Sequence, residues 1–343
     1  MEAAGAVTMH VCPDGRPQRD KLRQMTNLLL LAPLLLAASP EVPLHGDTVI
    51  RFASVDEGRA LLATPDDFTK QLGPLELQIR LRTDKPVTAD DYIRHVLPEV
   101  VPWSDEQVRV LSGVIASLRA KLAPLKISLP PTVHLIQTTG QDESGAAYTR
   151  GQAIVLPQNK LSGRAAGIES LLAHELFHVL SRHDAEQREK LYAIIGFTPC
   201  GDVALPESIA ARRITNPDAP RIDYAIRVKL KDEELPAAPI LLADLQRYDP
   251  ARPVTLFDVW QLQLLGLEKH NGAWRPLVRD GAPVVFGASD NASYRVQIGG
   301  NTEYIIHPDE ILADNFRHLL LRTKDLQSPH IVAAMRKVFT PPP

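Results

Sequence analysis

His174, Glu175 and His178 stand in the order His-Glu-x-x-His inside the apolar run LLAHELFHVL. On a helix, residues four apart lie on the same face, one turn above each other, so both imidazoles reach toward one metal ion. Zinc binds imidazole nitrogen tetrahedrally, and a catalytic zinc keeps three protein ligands and leaves its fourth position to water. Glu175 then lies beside that water and can take its proton. The pattern predicts a zinc centre with His174 and His178 as ligands and Glu175 as general base.

The element that must position them is a helix from about residue 163 to 182. At about 100° per residue, Ile168, Leu172, Leu176 and Val179 form one apolar strip, whereas Gly167, His174, His178 and Ser181 share another side. The histidines therefore stand off the face that must pack, among small residues that leave room for a metal, its water and a substrate.

A third ligand is required, and three acidic residues offer themselves. Glu310 and Asp314, in HPDEILADN, are one turn apart on a helix that opens at Pro308, a favoured first-turn position. That spacing lets one carboxylate bind the metal while the other fixes a ligating histidine. Acids in a first turn also complement the helix dipole, which accounts for Asp309 and Glu310 without any metal but accounts poorly for Asp314. Asp184 lies at the spacing where HExxHxxGxxD enzymes carry their third ligand, although Ser181 stands where the chain-turning glycine belongs.

HELFH followed far along the chain by EILAD resembles the HExxH plus ExxxD signature of the gluzincins, the thermolysin-like and aminopeptidase-like zinc metallopeptidases. The stretch AAYTRGQAIVLP resembles the edge strand that precedes the active helix of zincins, and the HPxEILADN ending is similar to that of some bacterial proteins. The resemblance implies that His174, His178 and Glu310 bind Zn2+, that Glu175 is the general base, and that Asp314 orients His174. It also implies a zincin-like α+β fold that hydrolyses peptide bonds. An oxyanion donor is expected from Tyr304 or His307, just before the Glu310 helix, with Tyr148, Tyr224 and His318 as outsiders. The absence of a GxMxN motif favours an endopeptidase.

The 343 residues, 44% hydrophobic and 23% charged, suffice for one large domain or two. A net charge of -3 without a dense basic stripe gives no field for nucleic acid or anionic lipid. Asn27 to Ala38 (NLLLLAPLLLAA), behind Arg19, Lys21 and Arg23, has the layout of a secretory signal and is too short to span as a stop-transfer helix. Residues 1–38 are therefore expected to be removed, leaving an exported protein, periplasmic or secreted, with no stable membrane insertion. Cys200 is then the one thiol of the mature chain, a packed one, and Trp103, Trp260 and Trp274 are expected in core or interface.

The remaining pattern predicts an α+β arrangement in three parts. Residues 39–195 hold a strand at Thr48–Ala53, helices at Thr88–Leu97 and Ser104–Ala123, strands at Thr132–Thr138 and Gln152–Leu156, and the HExxH helix. Residues 196–301 read as an inserted β-rich or irregular subdomain with β-like runs at Tyr224–Val228, Val254–Val259, Val284–Phe286 and Tyr294–Ile298. Residues 302–343 open on a strand-like piece and continue as helices carrying the third ligand, the last from Ile331 to Phe339. The alternative from another class is a non-catalytic exported binding or scaffold protein with a structural metal; such a site closes its fourth position with protein.

Overall fold

The computed structural model describes residues 39–340, so the predicted signal segment lies outside the described residues. From Ser39 onward the chain is one compact unit. No described helix is long and apolar enough to cross a membrane.

The first sheet contains β1 (Glu41–His45), β2 (Thr48–Phe52), β3 (Thr132–Thr138), β4 (Tyr148–Arg150) and β5 (Ala153–Pro157) in the order β1-β2-β3-β5-β4. β3 runs parallel to β2 and β5, while β1 and β4 flank them antiparallel. β5 is buried at every residue, as expected of an apolar strand covered on both faces. Side chains alternate between the faces. On one face Ile136, Ala153 and Val155 meet Leu62, Leu77 and Tyr92, which belong to helices α1 (Val55–Ala63), α3 (Pro74–Leu81) and α4 (Ala89–Val96), with the short α2 (Asp67–Gln71) between them. A Cβ at Gly58 of α1 would stand 3.0 Å from both Ile136 and Val100, so glycine is what lets this helix lie against β3.

On the opposite face Leu135, Ile154 and Leu156 meet α5 (Asp105–Leu122) and α6 (Ala165–His183). Ser104 caps α5 through a reciprocal box with Gln107, closing two otherwise unpaired donors. On α6 the strip Ile168, Leu172, Leu176 and Val179 is buried, as its spacing predicts. Asp184 ends α6 and at once begins α7 (Ala185–Ile194), its carboxylate accepting the Gln187 N–H at 2.9 Å. Gly196, at φ +83°, releases the chain from α7 into the second sheet.

That sheet is antiparallel and draws its strands from residues 197–287: β6 (Phe197–Pro199), β7 (Arg213–Ile214), β8 (Tyr224–Leu230), β9 (Glu233–Ala243), β10 (Trp260–His270), β11 (Ala273–Pro276) and β14 (Val285–Gly287). Around it lie α8 (Glu207–Ala210), α9 (Leu256–Val259) and a ribbon of β12 (Val278–Arg279) and β13 (Ala282–Pro283). Three expected β-like runs are not strands. Residues 256–259 of the Val254–Val259 run form a helical turn because Thr255 and Asp258 make a capping box. Tyr294–Ile298 belongs to helix α10 (Ala292–Ile298): Asn291 caps it, and Tyr294 and Ile298, four apart, are its buried residues. The piece before Pro308 is irregular, folded by local bonds such as Tyr304 N–H to Thr302 Oγ1.

Two helices close the chain, α11 (Pro308–Leu321) and α12 (Pro329–Phe339). α11 packs on α6, with Phe177 and Phe316 rings 5.7 Å apart. Every residue from Pro308 to Phe316 is buried, including Asp309, Glu310 and Asp314. The molecule is thus mixed α and β, as expected at that level.

A buried ion network ties α3 to what lies above it. Arg80 pairs with Glu76 at 2.8 Å and with Glu143, and Tyr92 donates to Glu143 at 2.5 Å. Removing one partner of such a group strands the other charges in the interior. Arg80→Ala is expected to lower unfolding free energy by about 3–5 kcal/mol, read by urea denaturation; a change within experimental error would mean the network carries no stability.

Candidate metal centre

α6 presents His174 and His178 on one face, and the start of α11 lies across them. The His174 Nδ1 is 3.0 Å from Asp314 Oδ1, and the His178 Nδ1 is 2.7 Å from Asp309 Oδ2. A carboxylate only accepts, so each Nδ1 carries its proton outward, and in the neutral ring each Nε2 is left with a lone pair facing inward. Both Nε2 atoms face the same atom, Glu310 Oε2, at 3.1 Å from His174 and 3.5 Å from His178. The His178 Nε2 is buried and, among the described residues, has no hydrogen-bond partner.

Two imidazole lone pairs and a carboxylate oxygen aimed at one another repel unless a cation lies between them. Ligands bonded at about 2.0–2.2 Å in a tetrahedral site stand about 3.3–3.6 Å apart, close to the separations seen here. His174, His178 and Glu310 form a group that can hold a metal ion. Their carboxylate partners are held in turn: Thr302 donates to Asp314 at 2.5 Å, Tyr192 to Asp309 at 2.6 Å, and Asn216 to the other oxygen of Glu310 at 2.6 Å. Held this way, Asp314 and Asp309 orient the two imidazoles and raise the basicity of their inward nitrogens.

Without a metal, protons do the neutralising. Burial works against the charged form of His174, but hydrogen bonds to Asp314 and Glu310 outweigh it and lift its pKa to about 9. Burial likewise opposes charge on His178, and the Glu310 carboxylate raises its pKa despite this. The same attraction to His178 holds Glu310 well below the usual carboxylate range, against the cost of its burial.

Glu175 is 3% exposed, and one of its oxygens accepts the Thr149 hydroxyl from β4 at 2.9 Å. Asp218, on the loop between β7 and β8, lies with Glu175 and His178 in a second group whose ligand atoms are all within 4.8 Å of one another. Burial, with the nearby Glu175 and Glu310 carboxylates, pushes the Asp218 pKa up to about 8, although His178 pulls it down. Tyr304 approaches His174, ring centres 6.4 Å apart, and burial raises its phenol pKa well above the ordinary value. It lines a cavity of about 70 Å³ with Tyr148, Asn216, Asp218 and Trp260.

The structure therefore brings together His174, His178, Glu310, Glu175 and Asp314, with Tyr304 beside them. His307 has another task. Its Nδ1 accepts the Asp309 N–H as the cap of α11, its ring stands against Tyr192, and it lines a different cavity from Tyr304. Asp184, the short-spaced candidate, is spent capping α7. Tyr148 donates to Asp142, Tyr224 accepts from Arg188, and His318 bonds Thr323 and Asn301. Cys200 is buried, and burial pushes its thiol up to about 12. Trp103 packs on Phe52, whereas Trp260 faces Tyr304 at 6.3 Å on the cavity wall.

Residues 136–186 match the family described as the eCIS core domain, of extracellular contractile injection systems. The match is about a seventh of the chain and runs from β3 through α6 to the first turn of α7, so it contains Thr149, His174, Glu175 and His178 but none of the acids of α11. No curated protein and no solved structure matches the chain.

Two outcomes are expected of a metal titration. Glu310→Ala should lose most of the bound metal, whereas Asp309→Asn and Asp314→Asn should each weaken binding about 10–100-fold, measured against a chromophoric chelator; normal binding by Glu310→Ala would remove it from the site. Because the imidazole pKa values are raised, a metal must displace protons below about pH 9, so apparent affinity should rise with pH by up to about tenfold per unit for each proton displaced. Calorimetry at neutral pH in buffers of different ionisation heat should count at least one proton released per metal, and no release would contradict the assignment.

Proposed function

We propose that the protein is a zinc-dependent metallopeptidase of zincin-like fold, cleaving peptide bonds with Glu175 as general base. The observation that carries this reading is the aim of two imidazole Nε2 atoms at Glu310 Oε2, with the Glu175 carboxylate held alongside. Two imidazoles and one carboxylate suit zinc in its catalytic, three-ligand form. Zinc held there supplies a positive charge that polarises the scissile carbonyl and acidifies water.

The chain's own residues do the rest. The Thr149 hydroxyl occupies one oxygen of Glu175 and fixes its direction, and among the described residues nothing hydrogen-bonds the other oxygen. That free oxygen takes a proton from the attacking water and passes it to the leaving amine. Asp314 and Asp309 keep both imidazoles in the tautomer that binds. Tyr304, beside His174 on the cavity wall, is the candidate donor to the developing oxyanion. A structural site in a scaffold protein has no use for a buried, oriented carboxylate next to its metal, which favours the peptidase. The signal-like segment before residue 39 supports export, with a peptide or protein outside the cytoplasm as substrate.

Glu175→Gln keeps shape and removes the base. It should retain zinc while peptide cleavage falls about 10²–10⁴-fold, followed with a mixed peptide pool before and after chelation; full activity in this variant would move the base elsewhere.

A further inference from the structure

The space in front of Glu175 is filled by the chain itself. Residues 215–218, between β7 and β8, form part of the cavity wall on the side of the metal centre. Their fastenings come from five separate elements, among them α2, whose Gln71 carbonyl accepts the Thr215 hydroxyl at 3.3 Å. The Thr215 N–H donates to Glu76 at 2.9 Å, and its carbonyl accepts from Arg80 at 3.1 Å, both on α3. Asn216 donates to Glu310 of α11. Arg182 of α6 donates to the carbonyls of Pro217 and Asp218 at 2.8 and 2.6 Å. Asp218 Oδ1 accepts the Thr149 N–H of β4 at 2.6 Å.

The last bond matters most. β4 is the outer strand of its sheet, and a free strand edge is where an extended peptide adds by main-chain hydrogen bonds. Thr149 is the β4 residue whose hydroxyl orients Glu175, and its main-chain donor is already taken by Asp218. Glu175, His178 and Glu310 are at most 3% exposed with this segment in place.

We infer that residues 215–218 are an internal strap that holds the centre closed, with Asp218 where a substrate must pair with β4, so that the enzyme is latent until the strap lifts. This rests on the peptidase reading. The strap is suited to lifting because residues 215–218 take no part in a strand ladder. β7 before it has only two paired residues, and the strap's shape comes from a local turn in which Asn216 Oδ1 accepts the Asp218 N–H at 3.0 Å. Releasing it costs side-chain contacts and leaves both sheets intact.

The test uses the full chain loaded with Co2+ and a dipeptide hydroxamate, whose binding to the metal is read from visible absorption. Asp218→Ala and, separately, Arg182→Ala should bind the hydroxamate about tenfold or more tightly than the unaltered chain, as expected if the open state is populated to a tenth or less. Hydrogen exchange at the Thr149 amide should accelerate in Asp218→Ala. Equal hydroxamate affinity in all three proteins overturns the strap and leaves the metal centre standing. Failure of all three to take up cobalt overturns both.

Discussion

The constraint on which this structure depends is the burial of charge between α6 and α11. Two imidazoles and three carboxylates lie largely buried in this interface, where an unpaired charge is worth several kcal/mol of instability. The arrangement is tenable because, among the described residues, every outward-facing polar atom of this group has a partner. Asp314 and Asp309 each hold an Nδ1, Thr302, Tyr192 and Asn216 hold the carboxylates, and the atom left over is His178 Nε2, which faces the point where the other lone pairs meet. The rest of the fold follows from keeping these two helices in register. Phe177 against Phe316 sets their contact, and the first sheet supplies the flat apolar surface under α6.

What sequence could reveal of this centre was what lies within one helix. His174, Glu175 and His178 are legible because a four-residue spacing has one spatial meaning on a helix, and Glu310 and Asp314 share the same property. The pairing of the two helices came from likeness to known metallopeptidases. Asp309 and Asp218 were missed for opposite reasons. Asp309 is adequately explained by the dipole of its helix, so nothing marks it as the partner of His178. Asp218 sits in Asn-Pro-Asp, which reads as a turn and is one, and its neighbours Glu175 and Thr149 are brought to it only by the tertiary fold. The structure shows what the sequence does not: nine consecutive residues of α11, three of them acidic, are buried, so their acids must be partnered.

The errors in secondary structure have a common physical source. Val254–Val259 and Tyr294–Ile298 are rich in residues that favour strands, and short runs of that kind do not distinguish a strand from one or two helical turns. Caps decide such cases. Thr255 with Asp258, and Asn291 ahead of Tyr294, each satisfy the free donors of a helical start, and in both places that local bond outweighs the preference of the side chains.

The two halves of the centre are contributed from opposite sides of the second sheet: α6 precedes all of its strands and α11 follows them. A metal ion joining His174 and His178 to Glu310 would therefore act as a cross-link that closes a very long loop, in the manner of a disulfide, in a protein whose described part has no cystine. Loop closure of that length removes a large share of the freedom of the unfolded chain. Such an ion would belong to the architecture as much as to the chemistry, because every strand of the second sheet lies between its histidines and Glu310.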